Sequence, residues 1–337
     1  MLFEIIKYSA AVLISATIIW QACGHLEIAA HRLSESYGLP EIIKGSIIMA
    51  IGSSFPELVT VILAGIVHSD YELGFAAIVG SAIFNILVIP GVSVFFRAGP
   101  FGTDRHIIFR ETQFYLISVL LMVVVLALAV IFFPVDGTGL KGKLSLSLVI
   151  VPLGFYALYV FIQFHEVLDY DTGSKNEPAR VTSEWLRLVA SMGAVTIGVE
   201  ILVRTAIGLS DVLETPTFFW GVTVIAIVTS VPDLFLSVQA ARREVGVSSL
   251  SNALGSNIFD LLVIAPVGVL VAGAVIIDFS HLFPMMSFLV LGSVTLLVLM
   301  RRKFALSNRE ATLLLTLYAG FLVWMGLETF HVVEIPS

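Results

Sequence analysis

Four segments of the chain carry a hydroxyl side chain four residues before a carboxylate or an amide. On a helix, two side chains at this spacing lie on one face. The four pairs are Ser53 with Glu57, Ser81 with Asn85, Thr229 with Asp233, and Ser256 with Asp260. Each pair can present oxygen ligands, and no His, Cys or Met recurs beside them. These residue types favour the binding of a hard cation over a soft transition metal.

Two of these pairs also have a proline directly before the acid, namely Pro56 and Pro232. Proline has no N–H group, so inside a helix it leaves the carbonyl four residues earlier without its usual donor. We predict helix breaks at both prolines, with nearby backbone carbonyls available as further ligands. The carbonyls concerned are those of Gly52, Ala50, Val228 and Ala226. Broken helices of this kind line ion sites at the membrane midplane of transporters.

The composition identifies the environment in which these helices must lie. The chain has 337 residues, of which 58% are hydrophobic and 13% are charged, and its formal net charge is −7. A soluble globular protein has about 25% charged residues, so that class is excluded. The acidic balance, with Lys and Arg scattered between apolar runs, also excludes a nucleic-acid-binding surface. The sequence is that of a polytopic membrane protein.

Apolar runs of about 20 residues predict ten membrane-spanning helices. The predicted ranges are 4–33, 40–67, 72–95, 107–133, 144–165, 184–212, 217–240, 248–273, 282–300 and 309–331. The least apolar connector, 166–183, separates a first half at 1–165 from a second half at 184–337. The predicted fold class is therefore an all-α membrane protein with two groups of five helices.

An internal repeat relates the two halves. Residues 45–58 align with 221–234 at an offset of 176, and 80–89 align with 255–264 at an offset of 175, with seven identities in ten. Both copies lie on the second and third helices of a half, at about 40–95 and 217–273. Because five is an odd number, the halves must enter the membrane in opposite directions, which predicts an inverted-topology repeat.

The distribution of Lys and Arg predicts the orientation. With the N-terminus outside, 14 basic residues fall on the inner side and 4 on the outer side, which agrees with the positive-inside rule. We therefore predict a plasma or inner membrane protein with both termini outside and a cytoplasmic connector.

The three acids of the repeats need compensation inside a membrane. A carboxylate at mid-membrane costs roughly 2.5 to 3.5 kcal/mol even on the most lenient scale. Two carboxylates balance one Ca²⁺, and a third can hold Na⁺, K⁺ or a proton. Glu57, Asp233 and Asp260 are therefore interpreted as cation ligands.

At these residues the chain resembles the cation/calcium exchanger superfamily, and specifically its sodium/calcium exchanger branch. Members carry G-[ST]-S-x-P-E followed by G-S-x-x-F-N/D in each half. The corresponding segments here are 52–57 with 80–85, and 228–233 with 255–260. The resemblance implies a ten-helix exchanger in which the long first and sixth helices slide against a core of eight.

The resemblance also assigns the ligands. It implies that Glu57 and Asp233 are the central Ca²⁺ ligands. It further implies flanking Na⁺ sites, formed by Ser53, Ser54, Ser81, Asn85, Thr229, Ser230, Ser256 and Asp260 with the carbonyls of Ala50 and Ala226.

Several positions bear on the coupling ion. Proton-coupled relatives usually have Asn after the motif Gly, so Ser53 and Thr229 favour sodium coupling. Asp233 in place of the usual Glu resembles potassium-dependent exchangers, and Asp260 points weakly the same way. Val228 replaces the family glycine and puts a branched side chain where close helix approach is expected.

The predicted function is a membrane antiporter that exchanges Ca²⁺ for Na⁺ by alternating access, with K⁺ co-transport left open. An H⁺/Ca²⁺ antiporter is the alternative, and a cation channel or a Ca²⁺ sensor is a further one. No Ser-Lys, paired-Asp or His-Glu-x-x-His pattern suggests a hydrolase, so no enzyme activity is expected. The expected partners are inorganic cations and the lipid bilayer, with no cofactor, no nucleic acid and no obligate protein partner.

Two further acids, Glu27 and Glu200, occupy similar places in the first helix of each half, after Gly24 and Gly198. A role at the cation entrance is one interpretation. We favour structural pairing instead, of Glu27 with His31 and of Glu200 with Arg204.

Overall fold

The computed structural model describes residues 1–37, 52–97, 101–102, 110–135, 140–167, 181–243, 246–303 and 305–330. Within these ranges the chain is almost entirely helical. The first half contains α1 (Leu2–Ser36), α2 (Phe55–Val67), α3 (Tyr71–Phe96), α4 (Thr112–Phe132) and α5 (Leu146–Val167). The second half contains α6 (Val181–Leu213), α7 (Thr217–Arg242), α8 (246–272), α9 (Phe279–Lys303) and α10 (Asn308–Thr329).

These ten helices correspond one to one to the ten predicted ranges. Nine of the described helices are long and apolar enough to cross a membrane, and α2 is the shorter one. The N-terminal part of the second predicted helix, including Ala50, lies outside the described residues. Most of the predicted connector 166–183 also lies outside them.

Helix α3 is the centre of the molecule, because almost all its side chains from Tyr71 to Val94 are buried. Its start is fixed by Asp70, whose side chain accepts a hydrogen bond of 3.0 Å from the backbone N–H of Leu73. Glycine allows α3 to cross α7 closely: a Cβ atom on Gly80 would lie 2.4 Å from the carbonyl oxygen of Val222. This crossing brings the repeated segments of the two halves together.

Two short β-ribbons connect the halves. Strand β1 (Phe101–Gly102) pairs antiparallel with β4 (Ala305–Leu306), and β2 (Lys141–Leu144) pairs antiparallel with β3 (Val275–Asp278). In each ribbon a loop after the third helix of one half meets a loop after the fourth helix of the other. This reciprocal exchange is what two inverted repeats related by a two-fold axis require.

The β2–β3 ribbon also carries an ion pair. The Nζ atom of Lys141 lies 3.3 Å from the Oδ2 atom of Asp278. Burial raises the pKa of the Asp278 carboxyl, but hydrogen bonds from Ser280 and the ammonium group of Lys141 lower it, and the net pKa lies below the usual value. This ion pair therefore persists at neutral pH.

The apolar interior is divided into two clusters. The larger one joins α3, α4, α8, α9 and α10, together with the ribbons. The smaller one joins α1 and α6 to the faces of α2 and α7, through residues such as Ile19, Cys23, Val199 and Val228. Helices α1 and α6 pack chiefly along each other and on α2 and α7. The long helix pair thus contacts the rest of the bundle mainly through α2 and α7.

Three helices contain a wide π-helical turn. These turns are at Leu63–Val67 in α2, Gly221–Ile225 in α7 and Asp260–Ile264 in α8. All three helices belong to the repeated segments. π-Turns are rare and occur frequently at functional sites.

Candidate cation-binding site

The two prolines of the repeats have different effects on their helices. The chain leaves helical geometry at Ser54, and a new helix begins at Phe55 with Pro56 in its first turn. On the other side, the helix runs from Ala226 to Arg242 with Pro232 inside it. The predicted break at Pro232 is therefore wrong, because the irregularity of α7 is taken up by the earlier π-turn. Pro232 nevertheless provides no N–H for the carbonyl of Val228.

The acids of the two repeats are buried at the contact between them. Glu57 and Asp233 are each 2% exposed, and Asp260 is 1% exposed. The Coulombic field of Glu57 reaches both Asp233 and Asp260. None of the three acids takes part in an ion pair with a Lys, Arg or His within the described part of the chain.

Hydroxyl groups link the four helices of the site. Ser81 Oγ in α3 donates to Glu57 Oε1 in α2 at 3.2 Å and lies 2.8 Å from Ser230 Oγ in α7. The hydroxyl oxygens of Ser53 and Ser256 are 3.0 Å apart, which joins α8 to the segment that precedes α2. The Ser81–Ser230 and Ser53–Ser256 contacts cross from one half of the protein to the other.

The remaining predicted ligands lie beside this group. Thr229 interacts with Glu57, and its hydroxyl lies 3.4 Å from the carbonyl oxygen of Ala226. Ser54 faces Asp260 without a hydrogen bond of normal geometry. Asn85 in α3 donates to Asn257 Oδ1 in α8 at 3.0 Å. Ala50, the last member of the predicted set, lies outside the described residues.

Several buried oxygens of this group have no hydrogen-bond partner among the residues that the structure describes. They are Ser54 Oγ, Glu57 Oε2, Asn85 Oδ1, Asp233 Oδ1 and both carboxylate oxygens of Asp260. Leaving one such group buried and unpaired costs about 1–3 kcal/mol, and more if it is charged. A bound cation would satisfy these oxygens, so the donor set fits a hard cation as cargo.

The carboxylates alone do not form a compact metal centre. In the described ranges no three His, Cys, Asp or Glu side chains come close enough to hold one ion. A cation held here would need hydroxyl, amide or carbonyl oxygens as further ligands. The site combines few charges with many neutral oxygens.

Two asparagines of the site were not predicted from the sequence. Asn252 lies beside Asp233, and Asn257 joins Asn85 to the carbonyl of Ala82 at 3.0 Å. Asn252 precedes Ser256 by four residues, so extending the helical spacing by one step would have found it. Asn257 occupies an adjacent face and carries no such signal.

The predicted pairings of the two outlying acids have different outcomes. Glu200 pairs with Arg204, as predicted, and also lies 3.1 Å from His68 Nε2. The prediction for Glu27 is wrong: His31 lies 3.7 Å from Glu35 instead, and Glu27 Oε1 has no hydrogen-bond partner in the described structure. Burial explains this outcome, because Glu27 is 5% exposed whereas His31 is on the exposed side of α1, next to Glu35.

The chain matches the family model described as "Sodium/calcium exchanger protein" over residues 7–165 and 183–327. Among curated relatives, the Escherichia coli "Inner membrane protein YrbG" is 24% identical over 95% of this chain and 96% of its own length. The "Sodium/calcium exchanger MaX1" of Methanosarcina acetivorans is 25% identical over 88% of this chain and 91% of its own length. The Drosophila melanogaster "Sodium/potassium/calcium exchanger Nckx30C" is 36% identical over 26% of this chain and 10% of its own.

Solved structures show the same architecture. A structure of the sodium-calcium exchanger NCX_Mj superimposes with a TM-score of 0.63 at 22% identity, covering 94% of this chain and 98% of that one. Its all-helical fold of two repeats agrees with the fold described above. The protein is a multi-pass integral membrane protein and a cation antiporter of the calcium exchange type, and the chain belongs to the sodium/calcium exchanger protein family.

Proposed function

We propose that the protein exchanges Ca²⁺ for Na⁺ across the plasma membrane by alternating access, with one shared site for which the two ions compete. The observation that carries this proposal is the group of unpartnered buried oxygens between the two repeats. A site of this kind is costly without a cation and stable with one, so only a loaded site reorients readily.

Glu57 and Asp233 are the central Ca²⁺ ligands in this proposal. Their two negative charges balance one Ca²⁺, and neutral oxygens bring the coordination to the six to eight that Ca²⁺ prefers. The flanking Na⁺ sites use the remaining predicted ligands. These are Ser53, Ser54, Ser81, Asn85, Thr229, Ser230, Ser256 and Asp260, with the carbonyls of Ala50 and Ala226.

Sodium is proposed as the coupling ion because the residues beside the acids carry hydroxyl groups. Ser81 donates to Glu57 and Thr229 interacts with it, so neutral oxygens suited to Na⁺ surround the carboxylate. Potassium co-transport is the second candidate. Both carboxylate oxygens of Asp260 are unpartnered in the described structure, and Asp233 is one methylene shorter than Glu, which leaves room for a larger ion.

The proposed membrane arrangement has both termini outside. The first half, 1–165, and the second half, 184–337, are joined by the cytoplasmic connector 166–183, and the Arg242 end of α7 faces the cytoplasm. The long pair α1 and α6 moves against the other eight helices during exchange. No enzyme activity, cofactor or obligate protein partner is part of this proposal.

The test is uptake of radiolabelled Ca²⁺ into proteoliposomes loaded with Na⁺ and diluted into choline medium. Separate samples contain K⁺, or a pH gradient without Na⁺. Uptake that needs internal Na⁺ supports the proposal. Stimulation of this uptake by K⁺ supports potassium co-transport, for which Asp260 and Asp233 are the proposed ligands. Uptake driven only by the pH gradient would make the protein an H⁺/Ca²⁺ antiporter. Flux without a counter-ion would make it a channel.

A further inference from the structure

A cavity of about 320 Å³ lies between α1 and α7, beside the cation site. On one flank the rings of Trp20 and Phe235 stack with their centroids 4.7 Å apart. On the α1 side the cavity reaches the backbone, because a Cβ atom on Gly24 would meet no atom within 4 Å. The space is large enough for several water molecules or a hydrated ion.

Glu27 is the acidic side chain that lines this cavity. It is 5% exposed, and its Oε1 atom has no hydrogen-bond partner among the described residues. The basic residue in the lining is Arg242, which is exposed at the end of α7 and lies with its Cζ atom 5.0 Å over the ring of Phe96. The lining therefore combines an exposed basic residue, Arg242, with a buried acidic residue, Glu27.

The floor of the cavity adjoins the central site. Pro232, which lines the cavity, directly precedes Asp233, and Glu27 lies within electrostatic range of Asp233. Cys23 lies one turn before Glu27 on the same face of α1, and the fields of Glu27, Glu57 and Asp233 all reach it. Glu27 also lies close to the repeated segment of its own half, since a Cβ atom on Gly52 would lie 3.7 Å from the Cγ atom of Glu27. Glu27 therefore lies between the cavity and the acids that bind the transported ion.

We propose that Glu27 forms a second cation site, a staging site at which Ca²⁺ or Na⁺ binds inside the α1–α7 cavity before it passes to Glu57 and Asp233. This inference rests on the proposed function, because it assigns the route by which ions reach the same central site. A buried carboxyl group with an unpartnered oxygen in a cavity of this size offers a ligand for a hard cation. The negative charge of the nearby Asp233 adds to the electrostatic attraction for a cation there.

The first experiment separates binding of the incoming ion from turnover. We expect Glu27→Gln to raise, about tenfold, the Ca²⁺ concentration needed for half-maximal transport from the cavity side, and to change the maximal rate less than threefold. Glu27→Asp keeps the charge and should show a smaller shift. The matched control is Glu200→Gln, which removes the corresponding acid of the other half. An unchanged half-saturation in Glu27→Gln, or a loss of maximal rate alone, overturns the staging site.

The second experiment does not depend on transport. The chain has one cysteine, so Cys23→Ala provides a cysteine-free background in which Leu236→Cys places a thiol in the cavity wall. With Glu27 present, a cationic methanethiosulfonate should label this thiol at least threefold faster than a neutral one, and Ca²⁺ should slow the cationic reagent. Glu27→Gln should remove both effects. Equal rates for the two reagents in the presence of Glu27 contradict the proposal.

The labelling is repeated with Glu57→Gln and Asp233→Asn in the same chain. Protection by Ca²⁺ that persists in this background supports a cation site at Glu27 that is separate from the central acids. Protection that disappears with the central acids shows that Ca²⁺ acts only there, and overturns the staging site. If the Glu57→Gln and Asp233→Asn variants transport Ca²⁺ normally, the proposed function fails. The labelling experiment still tests whether a cation binds at Glu27.

A steric variant tests the same route without removing the charge. Gly24→Leu fills the open space beside α1, and we expect it to slow transport at low Ca²⁺ at least fivefold. Gly24→Ala adds one carbon to open space and should behave like the unmodified protein. Equal transport by both variants, each monodisperse in gel filtration, contradicts a route through this cavity.

Discussion

Glu27 in α1 and Glu200 in α6 occupy similar places in the first helix of each half, but their surroundings differ. Glu200 is 24% exposed on its side chain and is held by Arg204 and His68, whereas Glu27 is buried and lines a cavity. The neighbouring glycines differ in the same way. Gly24 borders open space, while a Cβ atom on Gly198 would lie 2.9 Å from Ile19.

The facing residues of the repeats reinforce this difference. Opposite α1, the segment that precedes α2 has Gly52. The corresponding residue of the second half is Val228, which is buried in the smaller apolar cluster with α1 and α6. Inverted repeats alternate by exchanging the environments of equivalent helices. Here part of the difference is fixed by side chains. The surroundings of Glu27 (the α1 flank) and of Glu200 (the α6 flank) are therefore not interchangeable. Two similar helices thus have unequal side-chain surroundings, one beside a cavity and one beside an ion pair.

The largest effect is expected from variants of the central acids, Glu57 and Asp233. Glu57→Gln or Asp233→Asn should lower Ca²⁺ exchange at least a hundredfold, because one charge of the proposed Ca²⁺ pair is lost. Radiolabelled uptake measured from either side of the vesicle should fall equally. Glu200→Gln serves as the folded control. Exchange within threefold of the unmodified protein would contradict the site assignment.

A second variant makes the α1 flank resemble the α6 flank. Gly52→Val places a branched side chain where a Cβ atom would lie 3.4 Å from Leu26 Cδ2 and 3.7 Å from Glu27 Cγ. Its methyl groups need the space that Glu27 occupies, so we expect exchange to fall about tenfold in initial-rate measurements. Gly52→Ala should stay within threefold. If the two variants are equally active, the packing at Gly52 does not limit access.

The reverse change opens the other flank. Val228→Gly removes a buried side chain and should lower stability on the order of 1–2 kcal/mol, since packing contacts are lost. We expect exchange to rise up to threefold, because the close helix approach of the family motif is restored. Thermal unfolding and initial uptake rates measure the two effects. A decrease in exchange with unchanged thermal stability would contradict this view of Val228.

The smallest effect on exchange is expected for Glu200, which is paired with Arg204 and His68. Glu200→Gln breaks the contacts to Arg204 and His68, which are partly exposed, and such pairs contribute about 0–1 kcal/mol. Exchange should remain within twofold and the half-saturating Ca²⁺ concentration should be unchanged. A tenfold shift in that concentration would show that both flanks bind the incoming ion, and the comparison would then fail.

Much of this arrangement is predictable from the sequence because membrane helices have strong local signals. Apolar length predicts ten helices, and the four-residue spacing predicts that Thr229 and Asp233 share a face of α7, where both are buried. The prediction that Asn85 lies in the site follows from the repeat. These signals depend only on residues that are close in the chain.

The remaining features depend on contacts between helices. Helix α7 has a π-turn at Gly221–Ile225 and continues through Pro232, where a break was predicted. Which carboxylate oxygens stay unpartnered depends on how α3, α7 and α8 meet. Glu27 has a possible partner four residues away in His31, but His31 lies beside Glu35, so a local rule chose the wrong pairing.

The two β-ribbons bear on how the chain assembles during synthesis. Phe101 in β1 pairs with Leu306, and Lys141 in β2 pairs with Asp278. At about 5–20 residues per second, the ribosome takes on the order of 10–40 s to produce the partner of β1 after β1 itself. The first five helices must therefore wait in the bilayer with unpaired strand edges and buried acids. The β2–β3 ribbon can close only after α8 has been made, and the β1–β4 ribbon only after α9, so both pairings form late in the synthesis of the chain.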